Sequence, residues 1–108
     1  MATYRDWEAL QVRIGTVVRA EPNTTARNPS YRMWIEFGEL GVLQSSAKLT
    51  DHYTPDDLVD RQVVAVTGFE PMRVGGFRSD VLVLGAMSPG GVVLLRPDRH
   101  VAEGTVVA

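Results

Sequence analysis

Residues 31–58, "YRMWIEFGELGVLQSSAKLTDHYTPDDL", decide the fold. Tyr31, Met33, Ile35 and Phe37 form one apolar face and Arg32, Trp34 and Glu36 the other, because successive strand side chains point to opposite sides. Gly38-Glu39-Leu40-Gly41 reads as a short hairpin into another strand over 42–47. Thr54-Pro55-Asp56-Asp57 then reads as a helix start. Threonine caps, proline suits the first helical position, and Asp57 lies three residues beyond the cap. Asp56 and Asp57 also suit the positive end of the helix dipole. The stretch thus predicts strand, hairpin, strand and short helix.

Working outward, residues 10–20 alternate around Val12, Ile14 and Val17, with Gly15 suggesting a bulge or bend. Downstream, "QVVAVTGF" (62–69), "SDVLVLGA" (79–86) and "GVVLLRP" (91–97) are apolar runs of strand length, and "GTVV" (104–107) is a last one. A second short helix fits Asp6–Leu10. Five or more strands with one short helix between the third and fourth is the layout of an all-β, five-stranded OB-fold barrel. The chain reads as one domain, a barrel core over 10–86 with an N-terminal extension (1–9) and a C-terminal extension (87–108).

The chain has no cysteine, which excludes disulfides and thiolate chemistry. His52 and His100 are far apart with no third nitrogen or sulfur ligand, so neither metal nor any other cofactor is expected. No apolar run approaches the roughly 20 residues that span a bilayer, and "MATYRDWEAL" does not read as a signal peptide. A cytoplasmic protein without membrane insertion is expected, and Asn23-Thr24-Thr25 as a glycosylation acceptor then has no consequence.

Net charge is −2, mildly against nucleic acid, yet the charge is segregated. Arg27 and Arg32 sit in and beside "EPNTTARNPS" (21–30), and Arg73 and Arg78 in "EPMRVGGFRS" (70–79). Asp51, Asp56, Asp57 and Asp60 collect between them. In an OB barrel, ligands meet the face of strands 2 and 3 and the loops joining strands 1–2 and 4–5. Those loops are the two arginine-bearing segments. Singly, each arginine reads as solubilising charge; together they suit phosphates or carboxylates through their planar forks.

Ser45, Ser46 and Lys48 spell S-x-x-K, a nucleophile motif that works when serine and lysine share a helix face. On a strand, residues three apart face opposite sides, and the S-D-N and K-T-G partners are missing, so no enzyme is expected. The two hydroxyls read either as ordinary strand-edge groups or as donors to phosphate, ribose or peptide backbone. Gly75-Gly76 reads as a flexible turn. Trp34 suits a stacked base, a peptide contact or a subunit interface.

"VRIGTVVRAE" (12–21), "FGELGVLQSSAKLTDHYTPDDL" (37–58), "RQVVAV" (61–66), "FRSDVLVLGA" (77–86), "GGVVLLRPDR" (90–99) and "EGT" (103–105) together resemble the CsaA family. These are small export-related chaperones built on the tRNA-binding domain also appended to methionyl- and phenylalanyl-tRNA synthetases. The resemblance implies an OB-fold homodimer without catalysis that binds unfolded preprotein or peptide, meets the export machinery, and binds tRNA or other structured RNA weakly. The positions matching the family's binding surface are Arg27, Arg32, Ser45 and Ser46, then Pro71, Arg73, Arg78 and Ser79. The family usually carries an asparagine-containing "NFPP" or "NLKP" and two basic residues where this chain has Gly68, Glu70 and Met72. Fewer phosphate contacts follow from that, while apolar peptide contacts survive. The competing reading is a structural accessory that docks on a synthetase or secretion component without a client groove of its own.

Overall fold

A computed structural model describes residues 1–108. Helix α1 (Tyr4–Leu10) starts from a capping box in which Thr3 and Asp6 bond each other's backbone amides. It ends at Gln11, which adopts a left-handed conformation (φ 48°). Strand β1 (Val12–Pro22) then pairs antiparallel with β4 (Gln62–Val66) through its first half and with β2 (Tyr31–Glu36) through its second. Strand β2 pairs with β3 (Val42–Ala47) after a 3₁₀ turn over Gly38–Leu40, and β4 pairs with β7 (Leu82–Val83). The sheet order is β3-β2-β1-β4-β7.

The barrel closes where β3 meets the segment just before β7. Gln44 and Asp80 exchange bonds, Gln44 N donating to Asp80 Oδ2 (3.1 Å) and Asp80 N to Gln44 O (2.7 Å). Ser45 Oγ donates to Val81 O at 2.9 Å. The sheet is therefore nearly closed, with side chains completing the seam where no backbone ladder runs. Helix α2 (Pro55–Leu58), between β3 and β4, has the full capping box of Thr54 and Asp57 and buries Leu58 in the core.

The alternation of residues 31–37 appears directly in the packing. Tyr31, Met33, Ile35 and Phe37 are buried beside Val17, Val63 and Leu58, each full burial of this kind contributing about 1.5–3 kcal/mol. Gly15 is required for a reason other than a bulge. A Cβ there would lie 2.6 Å from Ile35 Cγ2 and 2.7 Å from the Phe37 ring, so glycine lets that ring lie against β1. The bulge itself falls between Val17 and Arg19.

Several apolar runs are shorter as strands than their sequence suggests. The 62–69 run leaves the sheet at Val66, because the amides of Thr67 and Gly68 bond the carbonyls of Gln11 and Leu10. The 79–86 run divides into the end of β6 (Phe77–Ser79), then β7 and the start of β8 (Gly85–Ser88); β9 (Gly91–Leu94) completes a hairpin with β8. Residues 104–107 form no strand beyond a bridge from Val106 to Arg13, yet they bond β1 along the stretch that β2 leaves open: Ile14 N donates to Thr105 O and Val107 N to Val12 O. The 70–79 segment folds as a hairpin of β5 (Met72–Val74) and β6, turned by Gly75 and Gly76, both left-handed (φ 58° and 80°). No helix is long and apolar enough to cross a membrane.

Candidate nucleic-acid interface

The β1–β2 loop, the end of β3 and the β5–β6 hairpin meet at one rim of the barrel, and Asn23 joins them. The residue is buried, 5% exposed. Asn23 Nδ2 donates to Ser46 Oγ on β3 (3.2 Å) and to Val74 O on the hairpin (3.3 Å). Its Oδ1 accepts from Thr25 N, Thr25 Oγ1 and Arg32 Nε. Thr25 Oγ1 in turn bonds Gly75 O. The approach is close enough that a Cβ on Gly75 would lie 2.6 Å from the Ala26 backbone. Two segments some fifty residues apart are thus bonded to each other as the OB layout requires.

The arginines divide by what holds them. Arg32 donates to Asn23 Oδ1 (3.1 Å) and Thr25 Oγ1 (2.9 Å), and its guanidinium lies 5.0 Å from the Phe77 ring centre. It braces the loop. Arg73 and Arg78 face each other across the hairpin, an unfavourable like-charge pair. Arg78 is drawn to Asp80 (Nε to Oδ1 2.8 Å), whose side chain is only 10% exposed. Arg73 is exposed and donates to Gly76 O at 3.1 Å within its own turn. Arg27 is exposed with no bond or ion pair to the rest of the chain. Pro71 is exposed just before β5.

The serines separate likewise. Ser45 is 1% exposed and bonds Val81 O; Ser79, also buried, donates towards Ser45 Oγ and Val81 O and accepts from Ser46 N (3.1 Å). Both belong to the barrel seam. Ser46 alone reaches the surface, lining a cleft of about 260 Å³ that Arg27, Lys48, Ser30 and Gly75 also line. Lys48, Ser30 and Asn23 are not among the residues expected from the sequence. Strand parity points to Lys48, since it lies two residues beyond Ser46 and so on its side. Asn23 gives no such signal, because its bonding depends on folding. Ser45 faces inward while Lys48 lines the outer cleft, so the S-x-x-K residues do not meet.

Trp34 is half-buried. Phe77 meets its ring edge-on at 5.5 Å and 81°, and the Arg19 guanidinium lies 4.4 Å from its ring centre, itself paired with Glu21. A larger opening of about 730 Å³, between α2 and residues 96–100, mixes Arg61, Arg96 and His100 with Asp57, Asp60 and Asp98. Bonds from the Thr54 backbone and hydroxyl hold the Asp57 carboxyl below its ordinary value of 3.8.

The rim geometry coincides with a family match. The family described as "Putative tRNA binding domain" matches residues 12–106. The chaperone CsaA of Bacillus anthracis shares 50% identity with the chain and superposes with a TM-score of 0.93 over 100% of this chain and 99% of its own. The CsaA chaperone of Picrophilus torridus shares 37% identity, with a TM-score of 0.94 and full coverage of both chains. The methionine–tRNA ligase of Methanothrix thermoacetophila is 36% identical over 101 residues, 94% of this chain but 15% of the ligase. An OB-type barrel, the match across 95 consecutive residues (12 to 106) and the full-length likeness to two CsaA chaperones place this chain in the tRNA-binding-domain family, in its CsaA-like form.

Proposed function

We propose that the chain is a non-catalytic binding module whose cationic rim holds structured RNA of the tRNA kind. One observation carries the reading: the β1–β2 loop, the end of β3 and the β5–β6 hairpin converge on a cleft with cationic side chains and no acidic one in its lining. Arg27, Lys48 and Arg73 supply charge that no carboxylate offsets, and Arg78 adds a fourth cation restrained by Asp80. Phosphate contacts of this kind give affinity without reading sequence. A filter-binding titration of tRNA at low and raised salt tests it. Binding that weakens with salt, and weakens again in Arg27→Glu and Arg73→Glu, is the expected result; no tRNA retained at low salt refutes it.

A second reading, polypeptide binding by the same rim, is favoured by Phe69 and Met72. Met72, 66% exposed, adjoins Arg73 in β5, and Phe69, 47% exposed, lies two residues before Pro71 in the segment leading to that strand. Apolar side chains flanking positive charge suit an unfolded preprotein, and the likeness to CsaA chaperones supports this reading. Suppressed aggregation of a denatured client, lost in Phe69→Ser with Met72→Ser, is its test.

The module acts as a homodimer in this proposal. Tyr4 and Trp7 of α1 line an apolar groove of about 210 Å³ with Val12, Val106 and Val107, and Tyr4 and Val106 are exposed. A two-fold contact there would cover them. Two rims on one particle would raise affinity through avidity. Contact with an export component or a synthetase would follow from the same surfaces.

A further inference from the structure

We infer that the cleft between the β1–β2 loop and the end of β3 is a subsite for a single phosphate group, held between Arg27 and Lys48 with the Ser46 hydroxyl at its base. The inference rests on the RNA reading and names the contact within it. Several independent features point to this cleft. Arg27 and Lys48 have no hydrogen bond or ion pair within the chain, whereas Arg19, Arg32, Arg73 and Arg78 each have a protein acceptor. No carboxylate lines the cleft, unlike the larger opening beside α2, where three aspartates stand among the basic residues. An anion therefore meets uncompensated positive charge here.

The hydroxyl chemistry agrees. Ser46 Oγ accepts from Asn23 Nδ2, which directs the serine's own proton elsewhere. Within the protein only Ser30 Oγ lies near it, at 3.4 Å, a weak contact that a phosphate oxygen would displace. The base of the cleft is rigid because Asn23 joins it to both neighbouring segments. Only the two long cationic side chains need to settle, which limits the ordering cost of binding. The cleft's volume of about 260 Å³ leaves room for a phosphate and part of its sugar but not for a helical segment of RNA. Asn23 acts as the positioning residue.

The chain's single lysine makes the test selective. Reductive methylation with ¹³C-formaldehyde keeps the charge on Lys48 and gives one side-chain NMR signal, assigned by its loss in Lys48→Arg. The protein is titrated with tRNA, with an RNA trinucleotide, with the trinucleotide bearing uncharged methylphosphonate links, and with inorganic phosphate. The Lys48 signal is expected to shift with tRNA and trinucleotide but not with the methylphosphonate. In filter binding, Arg27→Ala with Lys48→Ala is expected to lower tRNA affinity about tenfold at low salt. The logarithmic salt slope should flatten by roughly 0.7–0.9, one phosphate's worth. A signal unmoved while tRNA binds overturns the subsite and leaves the RNA reading standing. A signal unmoved by millimolar trinucleotide, with no tRNA retained, overturns both. A shift with inorganic phosphate alone, unshared by either RNA, overturns the backbone assignment.

Discussion

Asn23→Ala is the substitution whose effect follows most directly from the bonding at the rim. The asparagine side chain takes part in five hydrogen bonds, to Ser46, Val74, Thr25 twice and Arg32. A typical intramolecular hydrogen bond contributes about 0.5–1.5 kcal/mol net, and an abandoned buried partner costs more. Thr25 and Arg32 have water within reach and recover much of their loss. Ser46 and the Val74 carbonyl are half-buried and recover less. Counting those two in full and the other three in part gives a loss of about 2–3 kcal/mol. At roughly 4 °C per kcal/mol for a domain of this size, Tm falls by about 8–12 °C. Urea unfolding followed by circular dichroism measures the free energy. Asn23→Asp separates shape from chemistry, since it keeps the acceptor bonds to Thr25 and Arg32 but loses both donors and turns a carboxylate towards Val74 O. It should lose RNA affinity beyond what its stability accounts for. A loss under about 0.5 kcal/mol in Asn23→Ala, the range of ordinary surface changes, would refute the joining role.

Gly15→Ala should destabilise by about 1–3 kcal/mol in urea unfolding, because the new methyl overlaps Ile35 and the Phe37 ring. Arg78→Ala should weaken tRNA binding less than Arg27→Ala, since Asp80 already neutralises part of the Arg78 charge; equal losses in filter binding would count against the division of the rim cations. The depressed Asp57 carboxyl stabilises the fold above its ordinary 3.8, and that contribution disappears as pH falls through its lower folded value. Asp57→Asn should therefore flatten the fall in stability below pH 3.8, as followed by urea unfolding across pH 3–5. Mass photometry should show a dimer that Trp7→Ser with Val106→Ser converts to monomer; a wild-type monomer alone would contradict the two-fold contact.

The barrel was legible where side-chain parity and burial coincide. Residues 31–37 declare their inner face, and Thr54-Pro55-Asp56-Asp57 declares a cap through local bonding alone. Strand lengths were less legible, because β4 ends at Val66 and β7 at Val83 where the amides that follow, of Thr67, Gly68 and Leu84, bond carbonyls elsewhere in the chain. The cationic rim was visible as two separated arginine clusters, since topology brings their segments together. What each polar group does there was not visible. Arg32 and Arg27 look alike in sequence, yet one is bound to Asn23 and the other has no partner. Ser45 and Ser46 are adjacent, and parity sends one into the seam and the other to the surface. The 70–79 segment, expected as a loop, proved a hairpin whose glycine turn supplies the tight approach to Ala26.

The closure of the barrel has a consequence for its solution behaviour. Where β3 meets residues 79–81, one carboxylate and two hydroxyls stand in for a continuous ladder. Opening that junction would bare the amides of Gln44 and Ser46 along a strand margin, the kind of surface on which another extended chain can add itself. A module proposed to shelter unfolded polypeptides therefore carries a sticky margin of its own, guarded by three small side chains.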